Sequence, residues 1–203
     1  PRFYDALKGK IRINGTNIED YPLKQLRDTV GFVPQQAAVI SGTIADNLRW
    51  GKKDATTEEM IAALKTAQAW AFVSALPEGL DTPLEQGGKN LSGGQKQRLT
   101  IARALVGDPD ILILDDSSSA LDFATDAALR KALHRDTTEM TVLIVSQRAG
   151  SIRHADRILV LEDGEIEGIG THQELFENCM VYREICLSQF SKEESAQNEG
   201  AIS

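Results

Sequence analysis

Two adjacent carboxylates, Asp115 and Asp116, close the apolar run in ILILDDSSSALD (residues 111–122). A buried strand that ends in paired acids presents them to a metal, a phosphate or a water. A second stretch with chemical potential is LSGGQKQR (residues 91–98). There Ser92 can cap a helix with its hydroxyl, while Gly93 and Gly94 let backbone N–H groups approach a ligand closely. The positive end of the helix favours an anion at that place. A glycine-rich helix start is a weak signal alone, so its weight depends on its surroundings.

These residues need elements to position them. ILILD and TVLIVS are continuous apolar runs, as expected of parallel strands covered on both faces. The amphipathic FATDAALRKALHR between them reads as a crossover helix. GKIRING is a strand closed by an Asn14-Gly15 turn, LKQLRDTV a short helix, and VGFVPQ a short strand stopped by Pro34. From Ile44 to Leu76 the period is helical: TIADNLRW, then TTEEMIAALKTAQAWAFVSAL, where Thr56 or Thr57 can cap and Glu58 and Glu59 occupy the first turn. A Gly- and Pro-rich loop, PEGLDTPLEQGGKN, precedes a helix from Ser92 to about Val106. DRILVLEDGEIEGIG reads as a hairpin turning at Asp163-Gly164, and HQELFENCMVYREICLSQF as helical.

The 203 residues carry a net charge of −8 and 41% hydrophobic residues. A core is within reach, no apolar run approaches the roughly 18 residues of a membrane span, and the acidic balance argues against nucleic acid as a partner. The two cysteines, Cys179 and Cys186, are expected to be reduced thiols, since seven residues of one helix would hold them about 10 Å apart. His134, His154 and His172 lack metal-ligand spacing and are expected to be surface or packing residues.

Taken together, the motifs resemble the ATP-binding cassette (ABC) family. LSGGQ matches its signature motif, VPQ with Gln35 looks like its Q-loop, ILILDD like its Walker B strand, SALD (residues 119–122) like its D-loop, and IVSQR stands where its H-loop switch would be. The resemblance runs from residue 1 to about 190, and GTHQEL with YREICLSQF is similar to bacterial multidrug and lipid exporters. It implies a P-loop NTPase-like α/β core with an inserted helical subdomain. The core would comprise 1–35 and 108–180 and the helical subdomain 36–107, followed by a C-terminal helix over 181–190 and a disordered tail over 191–203. It implies ATP and Mg2+ as cofactors. Asp115 would hold the metal through a water, and Gln35 would touch the metal and the attacking water. Ser92, Gly93, Gly94 and Gln95 would close over an ATP held by a second nucleotide-binding domain, and Asp122 would cross that interface. A transmembrane domain of the same half-transporter would be the other partner, placing the chain at the cytoplasmic face of the cell membrane.

Departures from the family pattern shape the expectation. The family has Glu after the Walker B Asp; here it is Asp116, whose carboxylate reaches less far by about 1.5 Å, one C–C bond. Misplacing a general base by even 1 Å can cost about 100-fold. The H-loop histidine is replaced by Gln147, which can hydrogen-bond a phosphate but cannot carry a proton through. Gln86 stands where exporters often carry Glu before the signature. No G-x-x-x-x-G-K-[ST] is found: Gly9-Lys10, Gly51-Lys52 and Gly88-Lys89 each lack part of the pattern. The chain therefore reads as beginning downstream of the phosphate loop, as a fragment expected to bind ATP weakly and to hydrolyse none alone. The expectation is one half of a heterodimeric exporter, with Asp116, Gln147 and Gln35 in a slow site and the intact signature serving the partner's. A non-catalytic regulatory ATP-binding module, and a soluble ABC ATPase not linked to transport, are the alternatives. The former would show a damaged signature, the latter a second cassette, coiled coil or basic stretches.

Overall fold

In the computed structural model, residues 1–189 are described, and the tail expected over 191–203 lies outside them. The chain forms two compact units, Pro1–Val145 and a second beginning at Ser146.

The first unit opens with a small hairpin, β1 (Arg12–Ile13) and β2 (Thr16–Asn17), turned by Asn14 and Gly15 at φ 49° and 81°. Helix α1 (Leu23–Thr29) runs straight into strand β3 (Val30–Val33). Beyond it, β4 (Gly42–Thr43) leads into α2 (Ile44–Arg49), α3 (Thr57–Thr66) and α4 (Trp70–Ser74). Strand β5 (Pro83–Leu84) pairs with β4. Then come α5 (Gly93–Leu105), β6 (Ile111–Asp115), α6 (Phe123–Asp136) and β7 (Thr141–Val145).

The sheet of this unit has the order β3-β6-β7, all parallel. Its central strand β6 buries Leu112 and Leu114 in a core shared with Val33, Leu99, Ile101 and Leu64. The apolar runs thus become parallel strands, but the expected cover on both faces does not extend to β7, an edge strand on which Leu143 and Val145 are exposed. Val33 pairs with Leu114, so the chain leaves β3 and β6 at the same edge, and Gln35 and Asp116 each follow two residues later.

The helical run expected from Thr56 to Leu76 is broken. Gln68 has φ 57°, and α3 ends there before α4 begins. A non-glycine residue in this left-handed region needs a compensating contact, which Arg98 supplies below. Two glycines permit close approach of α5's C-terminal end. A methyl group on Gly51 would lie 2.0 Å from the Arg103 carbonyl oxygen, and one on Gly31 would lie 2.9 Å from that of Ala104.

The second unit holds α7 (Ala149–Ile152), a short helix the sequence pattern does not suggest, and the antiparallel pair β8 (Ile158–Glu162) and β9 (Glu165–Gly170). Asp163 and Gly164 turn this hairpin at φ 49° and 85°, as the dipeptide predicts. Helix α8 (His172–Asn178) and a further helix, α9 (180–189), complete it. The single C-terminal helix of the sequence reading is interrupted at Cys179, which is extended (φ −114°, ψ 110°). The Arg183 guanidinium donates to the last carbonyls of α8, on Phe176 and Glu177, ending the helix there. Both cysteines are free and buried. His172 accepts or donates at 2.9 Å to the buried Tyr182 hydroxyl, a packing role as expected.

Candidate functional site

The parallel pairing of β3 and β6 puts the first cluster at the carboxyl ends of the strands, where ligands of open α/β sheets bind. Gln35 Nε2 donates to Asp116 Oδ2 at 3.4 Å. Asp115 is the last residue of β6, level with Val145 of β7. Asp116 has left the strand: its φ is 42°, while its N–H still donates to the Val145 carbonyl at 2.9 Å. Its own carbonyl accepts from both the N–H and the hydroxyl of Ser119, at 3.2 and 2.9 Å. These bonds hold the left-handed backbone and so fix the direction in which the side chain leaves it. Asp tolerates that conformation better than most residues, because its short polar chain bonds locally.

The second cluster is the turn opening α5. Ser92 is its N-cap: the hydroxyl accepts from the Gln95 N–H at 3.3 Å, and Gln95 Oε1 accepts from the Ser92 N–H at 2.9 Å. This reciprocal box pins the two ends of the turn. Gly93 has open space where a side chain would be. Gly94 does not, since a methyl there would lie 3.3 Å from the Ala120 carbonyl oxygen. The turn therefore rests on the loop 119–122, which begins at the residue that braces Asp116.

Asp122 ends that loop and caps α6, accepting from the Thr125 N–H and hydroxyl, both at 2.8 Å. Those two bonds hold its carboxyl below the usual range. The cap and the signature turn are thus neighbours through Ala120. Gln147 belongs to the second unit, where its carbonyl accepts from Gln189 Nε2 at 2.6 Å and its side chain is exposed. Gln189 Oε1 also accepts from the Ala149 N–H at 2.9 Å, bracing the start of α7.

Sequence reasoning did not single out Arg98 and Asn47. Arg98 is tied to the Gly94 carbonyl. Asn47 is buried and holds the segment after Gln35, accepting from the Ile40 N–H and donating to the carbonyls of Ile40 and Thr43 at 2.9–3.0 Å. A polar residue at an apolar helix position was the available signal for Asn47.

A family model described as ABC transporter matches residues 2–119, more than half of the chain. The chain belongs to the ABC transporter family. It is 47% identical over 195 residues to the uncharacterized ABC transporter ATP-binding protein YfiB of Bacillus subtilis (strain 168), covering 96% of this chain and 34% of that protein. It is 42% identical over 191 residues to the ATP-dependent lipid A-core flippase of Haemophilus influenzae (strain 86-028NP), covering 94% and 32%. A solved bacterial Atm1-family ABC exporter with ATP bound superimposes with a TM-score of 0.88 at 36% identity, over 93% of this chain and 33% of that one. This ABC chain therefore has the ABC ATPase fold and spans about a third of the length of the relatives it matches. Among the described residues, no helix is long and apolar enough to cross a membrane.

Proposed function

We propose that this chain is the ATP-binding domain of one half of a heterodimeric exporter, at the cytoplasmic face of the cell membrane, with its own acid-and-switch side weakened and its signature turn intact. Exporter relatives of similar domain sequence support the transport reading. One observation carries the asymmetry. The shortened acid, Asp116, is held back by a left-handed backbone and by Gln35, while the Ser92–Gln95 box is fully formed.

The residues at the strand ends suit Mg2+. Asp115, Asp116 and Gln35 offer hard oxygens, and no group of three metal-holding side chains gathers among the described residues. Mg2+ is bound by one or two carboxylates together with phosphates and water, not by an all-protein cage. Asp115 would hold it, and the ion supplies charge neutralisation on the ATP phosphates. Gln35 orients a water with its amide. Asp116 accepts a proton poorly from that water because its carboxylate is short, and Gln147 hydrogen-bonds a phosphate oxygen without relaying a proton. Ser92, Gly93, Gly94 and Gln95 donate to the phosphates of an ATP held by the partner domain, and Asp122 meets that domain beside them.

The experiment is ATPase activity of the whole heterodimer carrying Asp116→Ala or Ser92→Ala. The Ser92 variant is expected to lose at least tenfold and the Asp116 variant less than threefold. Equal losses would remove the asymmetry.

A further inference from the structure

Arg98 ends the signature segment, and the proposed reaction gives it no task. Its guanidinium bridges three places. Nε donates to the Gly94 carbonyl at 3.2 Å, inside the signature turn. Nη1 donates to the Gln68 carbonyl at 2.7 Å, at the corner between α3 and α4. The planar face lies 5.1 Å from the centre of the Phe72 ring, on α4. Gln68 has φ 57°, which turns its carbonyl out of the helix and toward the arginine. Burial pulls the guanidinium pKa down and the negative charge of Asp122 opposes this, although both Asp122 oxygens are committed to Thr125. Gly94, held by Arg98, rests on Ala120.

We propose that Arg98 is a positioning residue that locks the signature turn, the α3–α4 corner and loop 119–122 into one rigid body. The phosphate-facing amides and Asp122 then approach the partner domain together. Only a rigid fork with a stackable face can reach two carbonyls in different directions and cover Phe72 at once; a lysine ammonium serves one of these places at a time. The catalytic part of this inference rests on the proposed reading of the chain as an ATP-binding domain, whereas the lock itself does not.

Two measurements test it. Hydrogen exchange on the 203-residue chain is compared for wild type, Arg98→Ala and Arg98→Lys. The Leu121 N–H, bonded to the Ser118 carbonyl, and the Thr125 N–H, bonded to Asp122, are expected to exchange at least tenfold faster in both variants. The amides of β6 should change less than twofold. Wild-type exchange in the lysine variant, or equal acceleration everywhere, overturns the lock. In the whole transporter, Arg98→Lys is expected to lower kcat at least tenfold with KM for ATP within threefold of wild type. A lowered melting temperature with unchanged kcat would make Arg98 merely structural and overturn its role in the reaction. A wild-type transporter without ATPase activity would instead refute the functional reading, leaving the exchange result to decide the lock.

Discussion

Gly51→Ala isolates the mechanical anchorage of the signature helix. The added methyl would lie 2.0 Å from the Arg103 carbonyl oxygen, 2.8 Å from Val106 Cγ1 and 3.1 Å from the Arg103 carbonyl carbon. Relief to an ordinary contact of 3.4 Å needs about 1.4 Å of separation between α5's last turn and the chain after α2. The obstacle is backbone, so no rotamer change removes it. Ordinary overpacking costs about 1–3 kcal/mol, and a backbone clash belongs at or above the upper end, about 3 kcal/mol. At about 2–4 °C per kcal/mol for a chain of this size, melting should fall by about 6–12 °C. Thermal unfolding followed by circular dichroism reads this directly. Gly93→Ala is the control: nothing lies within 4 Å of its added methyl, and alanine favours the helix by up to about 1 kcal/mol. That variant should melt at or above wild type and, on the proposed reading of the chain, lose ATPase activity in the whole transporter. A Gly51→Ala protein melting within 2 °C of wild type would show that the end of α5 is not anchored by this close approach.

Asn47→Ala removes three hydrogen bonds from a buried side chain and strands the Ile40 amide and carbonyl, so urea unfolding should show a loss of about 2–4 kcal/mol. Asp122 has a folded pKa below its unfolded value, so its capping contribution is present above the unfolded pKa, near 4, and is lost as pH falls through the folded one. Asp122→Asn should therefore lose less melting temperature than wild type between pH 5 and pH 3; identical slopes would count against the cap. Burial pushes the Tyr182 phenol up to about 12, so its contribution is present below pH 10 and is lost as pH rises through 12. Tyr182→Phe strands the His172 ring nitrogen and should cost about 1–2 kcal/mol at neutral pH by urea unfolding.

The sequence makes legible what depends on local pattern. ILILD, TVLIVS and VGFVPQ became parallel strands, although Leu143 and Val145 leave one face of the TVLIV strand exposed, which its lack of alternation did not reveal. The motifs suggested only that Gln35 would touch a metal and a water; its bond to Asp116 appears with the strand pairing. The breaks escaped because their causes lie elsewhere in the chain. The helical period runs on through Gln68 and Cys179, but two arginine side chains, Arg98 and Arg183, take carbonyls that a continuous helix would have used. The left-handed backbone of Asp116 is set by bonds from Ser119, so residue type alone suggested only a shorter reach. Gly51-Lys52, tested in the sequence only against a phosphate-loop pattern, is explained by a helix end far along the chain.

Among the described residues, four helices begin with the same reciprocal box. In α2, α3 and α8 its third helical residue is an acid: Asp46, Glu59 and Glu174. In α5 that residue is Gln95, and no acid stands in the first turn. The hydrogen bonds are alike, but the charge is not. Three of these helix ends are neutralised from within, and the signature helix is left electrostatically incomplete. Gln95→Glu would make it like the others, gaining about 0.3–1 kcal/mol for the helix while placing a negative charge where the proposed reading puts a phosphate. The amide in place of the acid leaves the positive end of α5 slightly underfilled as a free helix.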